Sequence, residues 1–200
     1  MKKEGYFSAK RITGMAVLLA LVIVLQVFGG YFKIGATSLS FVLVPIVLCG
    51  LLYGAIAAGI LGFVFGFIVL MYGITGADAF TAILFEDHPV FTSILCLGKG
   101  TAAGLVSGLV YKLVAKKNKY VGVFTASAVA PIVNTGLFIL GSLLFLQDTL
   151  KANFVDGQSV VYFLIIGCAG INFLIELAIN LIAAPALHSV YRVVEKRLGK

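Results

Sequence analysis

The chain has 200 residues, of which 61% are hydrophobic and 12% charged, with a formal net charge of +7 and a mean hydropathy of +1.12. The charged share is about half that of soluble domains, and so much apolar surface excludes a soluble globule and marks an integral membrane protein. The length suits one domain, residues 1–200.

The first predicted span runs from about Ile12 to Phe28. Its basic start and apolar run resemble a signal peptide, but no small-x-small cleavage site follows and the sequence stays hydrophobic to its end. Within it Ala16 and Ala20, four apart, make a flat strip that another helix can approach closely. The next apolar block, Leu39 to Ile74, is too long for one crossing of roughly 20 residues. A break at GLLYG (Gly50 to Gly54) divides it into a second and a third span. The second is short and has to tilt or be capped by loop structure, and Pro45 is expected to kink it. The fourth span runs from Val90 to Val114, the fifth from Val121 to Leu146 and the sixth from Val160 to Leu187.

Six spans put both termini on one side. Lys2, Lys3, Lys10 and Arg11 precede the first span. Lys112, Lys116, Lys117 and Lys119 lie between the fourth and fifth, and Arg192, Lys196, Arg197 and Lys200 follow the sixth. All three clusters fall on one face, which the positive-inside rule makes cytoplasmic. The opposite face carries Lys33 and Lys151 against Asp78, Glu86, Asp87, Asp148 and Asp156. The net charge is therefore a topology signal, and nucleic acid is not an expected partner.

Few residues suggest chemistry. Cys49, Cys96 and Cys168 lie in three different spans without metal spacing and read as small apolar fillers. His88, in the acidic segment FEDHP, and His188 belong to opposite faces, which argues against a shared metal. GKGT (Gly98 to Thr101) lacks the features of a phosphate loop. Ser93 stands where the upstream glycine is needed, Gly100 follows the lysine, and the context is a membrane helix. No nucleophile elbow, HExxH or catalytic carboxylate pair is present, so the chain is not expected to be an enzyme or to hold a cofactor.

Lys99 requires an explanation. A charge in hydrocarbon costs roughly 3 kcal/mol on insertion scales, so it faces a partner or a water-filled cavity. It lies about nine residues into the fourth span, roughly 13 Å at the helical rise and in the outer half of the bilayer. Gly98 and Gly100 remove bulk beside it, leaving room for a neighbouring helix or a ligand. In the sixth span Asn172, Glu176 and Asn180 recur at i, i+4 and i+8 and so share one helix face. Asn134 and Thr135 sit near the centre of the fifth. One reading pairs Lys99 with Glu176 and lets the amides tie helices together. The other is an outward-opening polar cavity between spans four, five and six, suited to a small ligand with an acid group, hydroxyls and amides.

Along its whole length the sequence resembles the substrate-binding S component of an energy-coupling factor (ECF) vitamin transporter. The resemblance is carried by MAVLLALVIV, VPIVLCGLLYGAIAAGILGFVFGF, GADAF, HPVFTSILCLGKGTAAGLVSGLVYKL, APIVNTGLFILGSLLF and INFLIELAINLIAAPAL. It implies a six-helix membrane bundle that binds a vitamin from outside and works with a separate membrane coupling subunit and two ATPase subunits. It also implies that Ala16-x-x-x-Ala20 docks on the coupling subunit, an alternative to ordinary packing within the bundle. LGKG, PIVNTG and NFLIELAIN look most like the pantothenate type, with Lys99, Asn134, Asn172 and Glu176 as the expected substrate-binding residues. Pantothenate's single carboxylate, two hydroxyls and amide suit one cation and several asparagines. Folate, riboflavin or another small acid stay open, as does a structural membrane protein with no ligand. A self-sufficient secondary transporter would show repeated halves, and residues 1–100 and 101–200 show no repeat.

Overall fold

The computed structural model describes residues 9–30, 33–34, 37–38, 40–155 and 157–197. Among the charges assigned above, Lys2, Lys3, Asp156 and Lys200 lie outside the described residues, as do the side chains of Lys33 and Arg197. Helix α1 (Ala9–Gly30) is followed by a two-residue antiparallel ladder of β1 (Lys33–Ile34) and β2 (Thr37–Ser38). Then come α2 (Leu43–Tyr53), α3 (Ala55–Ile74), α4 (Ala79–Asp87), α5 (Pro89–Val114), α6 (Lys119–Phe145), α7 (Gln147–Phe154) and α8 (Val160–Tyr162). A π-helical segment (Phe163–Gly170) leads without interruption into α9 (Ile171–Arg197).

Among the described residues, five helical runs are long and apolar enough to cross a bilayer: α1, α3, α5, α6 and the run from Val160 to Lys196. The sixth, α2, has only 11 residues, about 16 Å at the helical rise. Pro45 does not kink it. The helix starts at Leu43, so Pro45 stands in its first turn, where a backbone N–H has no intrahelical acceptor in any case. Gly54 makes the reversal into α3 at φ 94°, a left-handed conformation that a residue with a Cβ enters only at a cost. The two short outer helices were not expected. Asp78 caps α4 by accepting hydrogen bonds from the Thr81 N–H (3.1 Å) and hydroxyl (2.6 Å). The FEDHP segment is thus the end of α4 and the start of α5, and the Thr92 hydroxyl fastens the two by donating to the Leu84 carbonyl at 2.8 Å.

The helices bury one apolar cluster in the body of the bundle, around Val22, Leu43, Ile46, Leu61, Phe65 and Ala126. A second lies under the outer helices, around Phe80, Leu84, Leu146, Leu150 and Leu164. Large apolar side chains also cover the outside, among them Val17 and Val24 on α1, Ile60 and Phe67 on α3, and Leu140 and Leu144 on α6. Apolar residues on both sides of a helix are the mark of a bundle solvated by lipid. The described members of the basic clusters meet at one end. The Arg11 guanidinium donates to the Tyr53 carbonyl at the α2–α3 turn, and Gly108 packs against Ala55 beside it. Tyr111 stacks edge-on with Tyr191, and Lys119 pairs with Glu195 at 2.6 Å.

Candidate functional site

Between the two apolar clusters lies a polar cavity of about 110 Å³, an order of magnitude above the roughly 10–15 Å³ that one water requires. Lys99 from α5, Asn134 and Thr135 from α6, and Asn172 and Glu176 from α9 all line it. The four residues singled out in the sequence are therefore brought to one place. The helical periods explain how: Asn172 and Glu176 are one turn apart, and Asn180, a turn deeper, is fully buried beyond the cavity.

Lys99 and Glu176 form no direct ion pair. Lys99 is half-buried, and its ammonium lies over the Phe138 ring, 4.9 Å from the centroid, a contact that offsets part of the cost of leaving water. Glu176 is 6% exposed; it feels the Lys99 charge and takes a hydrogen bond from the Ser40 backbone. The alternative in which the lysine is consumed by the glutamate is therefore not the arrangement found. Asn180 donates from Nδ2 to the Glu176 carbonyl at 2.9 Å, and Asn172 donates to the Cys168 carbonyl at 3.4 Å. These bonds lie within the helical run and do not tie helices together.

Of the two roles expected of Gly98 and Gly100, the close approach of a neighbouring helix is found at Gly100, while Gly98 is exposed and does not line the cavity. A Cβ on Gly100 would lie far inside contact distance of the Gly62 carbonyl, whereas one on Gly98 would meet nothing within 4 Å. Gly100 belongs to a close α3–α5 seam that continues through Gly66 against Cys96 and Gly104 against Ala58.

The cavity is wider than spans four to six. Gln26 from α1, Ser40, Tyr72 from α3, and Asp78, Phe80 and Thr81 around the start of α4 complete it. Gln26 is 6% and Ser40 8% exposed. Gln26 Oε1, Ser40 Oγ and Asn134 Oδ1 are buried without a hydrogen-bond partner among the described residues. Buried acceptors of that kind call for a donor. Gln26 was legible as a lone amide in an otherwise apolar span. Asp78 is a charge that counted only toward topology.

Ala16 and Ala20 are remote from this site. They are exposed on the side of α1 opposite Leu18, Val22 and Gln26, which face the bundle. The three cysteines are buried and form no disulfide among the described residues. His88 lies edge-on to Phe91 at the outer end, and His188 to Tyr120 at the basic end.

These features define a six-helix integral membrane protein with a polar cavity inside the bundle. Residues 10–188 match the family described as ECF transporter, substrate-specific component, and the chain belongs to that family. It is thus the non-enzymatic, substrate-binding membrane subunit of an uptake transporter, which works with coupling and ATPase subunits. No curated protein matches the chain.

Proposed function

We propose that the cavity binds a small vitamin-class acid, pantothenate before folate or riboflavin, on the outer side of the membrane. The observation that carries this reading is a single cation, Lys99, in a cavity whose other polar groups are amides, hydroxyls and two carboxylates, set against an apolar wall of Phe65, Val69, Phe80, Phe138 and Ala169. Asp78 is occupied by Thr81, so Glu176, Gln26 and Asn134 are the acceptors that face the ligand's hydroxyl and amide donors. Lys99 holds its carboxylate, and Asn134 and Asn172 contact its polar middle. A volume of about 110 Å³ favours a compact chain over a multi-ring ligand. Delivery to the cytoplasm falls to the coupling and ATPase subunits, with the exposed strip of Ala16 and Ala20 as the docking surface.

The test is calorimetry on the isolated, detergent-solubilised chain with pantothenate, folate and riboflavin, without ATP or a gradient, together with mass spectrometry of co-purified small molecules. Saturable binding of pantothenate alone is expected. Preference for a ring-bearing vitamin would overturn the substrate assignment. Absence of any small-molecule ligand would overturn the binding role in favour of an assembly role.

A further inference from the structure

A second cavity, of about 410 Å³, opens at the basic end between the start of α6 and the end of α9. Its wall includes Lys119, Tyr120, His188, Arg192, Glu195 and Lys196. The one carboxylate there is already engaged: Lys119 pairs with Glu195 at 2.6 Å, and the Tyr191 hydroxyl donates to the same oxygen at 2.8 Å. Arg192 and Lys196 have no ion-pair or hydrogen-bond partner among the described residues. With His188 they recur every fourth residue, so imidazole, guanidinium and ammonium form one stripe along α9. His188 Nδ1 is buried and lacks a partner among the described residues, while its ring is held edge-on by Tyr120 at 5.2 Å. The first amides of α6 are in part spent on the Asn118 cap, which accepts from the N–H groups of Tyr120 and Val121. The attraction for an anion therefore comes from the side chains.

The surroundings select the kind of anion. A guanidinium, an ammonium and an imidazole around one opening match the several acceptor oxygens of a phosphate. Tyr120, in the wall of the opening, and its neighbour Val121 present exposed apolar surface, where acyl chains find a wall that a soluble anion does not need. We propose that this cavity is a site for the phosphate headgroup of an anionic phospholipid in the leaflet at the basic end, bound mainly by Arg192 and Lys196. Such basic pockets between spans are suited to anionic headgroups.

Native mass spectrometry on the full chain, titrated with phosphatidylglycerol or phosphatidylcholine of matched acyl chains, tests this. Wild type should retain phosphatidylglycerol preferentially. Near a membrane surface each basic residue contributes about a fivefold affinity factor, so Arg192→Gln with Lys196→Gln should weaken retention roughly 30-fold. Lys116→Gln with Lys117→Gln removes the same charge outside the cavity and should leave retention near wild type. If the first pair lowers the melting temperature in phosphatidylcholine, the single variants are read instead, each at about a fivefold loss. Equal losses in the two double variants, or no lipid preference in wild type, would overturn the site. Inorganic phosphate displacing the lipid at equal concentration would overturn the lipid as its occupant.

Discussion

The proposed ligand role of Lys99 rests on its having no ion-pair partner among the described residues. Its ammonium rests on the Phe138 ring and makes no ion pair with Glu176. Losing a charge-assisted hydrogen bond costs about 1.5–3 kcal/mol, or roughly 10- to 150-fold in affinity. Lys99→Met keeps the length and removes the charge, so calorimetry should show a loss of that order with little change in melting temperature. Had Glu176 depended on the lysine, the single variant would strand a buried acid, and adding Glu176→Gln would restore both quantities. The double variant is expected to stay weak, and recovery of wild-type affinity would remove the ligand role from Lys99. Gln26 makes a complementary case, since its Oε1 is buried without a partner among the described residues. Gln26→Leu should weaken binding roughly 2- to 13-fold, the equivalent of about 0.5–1.5 kcal/mol for a neutral hydrogen bond. The ligand-free protein should melt no lower, because an unpartnered amide oxygen leaves the core.

At the level of helices, the long spans and the faces of α5, α6 and α9 were legible because hydropathy and a four-residue repeat are local properties. The split at Gly54 was legible for the same reason, although Pro45 stands in the first turn of α2 where a kink was expected. The outer helices α4 and α7 escaped because their signals are caps and short amphipathic turns, with Asp78 counted only as a loop charge. The full wall of the cavity escaped because Gln26, Ser40, Tyr72 and Thr81 join it through tertiary packing that no sequence spacing announces. The π-helical turn belongs to the same class. A Cβ on Gly170 would collide with the Ile165 carbonyl, a requirement set by a backbone register that hydropathy does not report. The α3–α5 seam gives these distinctions a measurable form. Gly100→Ala and Gly98→Ala add one methyl each, two residues apart, yet only the first meets the backbone of α3. Thermal melts should show Gly100→Ala destabilised by about 1–3 kcal/mol, as overpacking is. Gly98→Ala should be unchanged or slightly more stable, and equal effects would contradict the close approach at Gly62.

For the molecule as a whole, charge and helix connectivity define the two ends, and the positive-inside rule turns that into an orientation. Glu86 and Lys117 are both exposed and lie at opposite ends. With Cys49, Cys96 and Cys168 replaced, a cysteine at position 86 should be labelled from outside intact cells. One at position 117 should react only after permeabilisation, and outside labelling at 117 would invert the topology. The same helix that contributes Gln26 to the cavity presents Ala16 and Ala20 to the outside. Leu18 and Val22 point inward, and Ala16 and Ala20, two residues earlier in each case, lie about 200° around the helix from them. Among the described residues the small strip is exposed and not packed into the bundle, and it sits among exposed Val17, Leu21 and Val24. Close approach of a partner helix supplies a reason for alanine there, because association between helices in lipid rests on contact between backbones that small residues permit. Ala16→Leu with Ala20→Leu should therefore abolish co-purification of the coupling subunit and uptake into cells. Ligand affinity of the isolated chain should stay within about twofold of wild type, a change of less than about 0.5 kcal/mol. Loss of ligand binding with assembly intact would show that this face of α1 supports the cavity, and the docking surface would have to be sought on another helix.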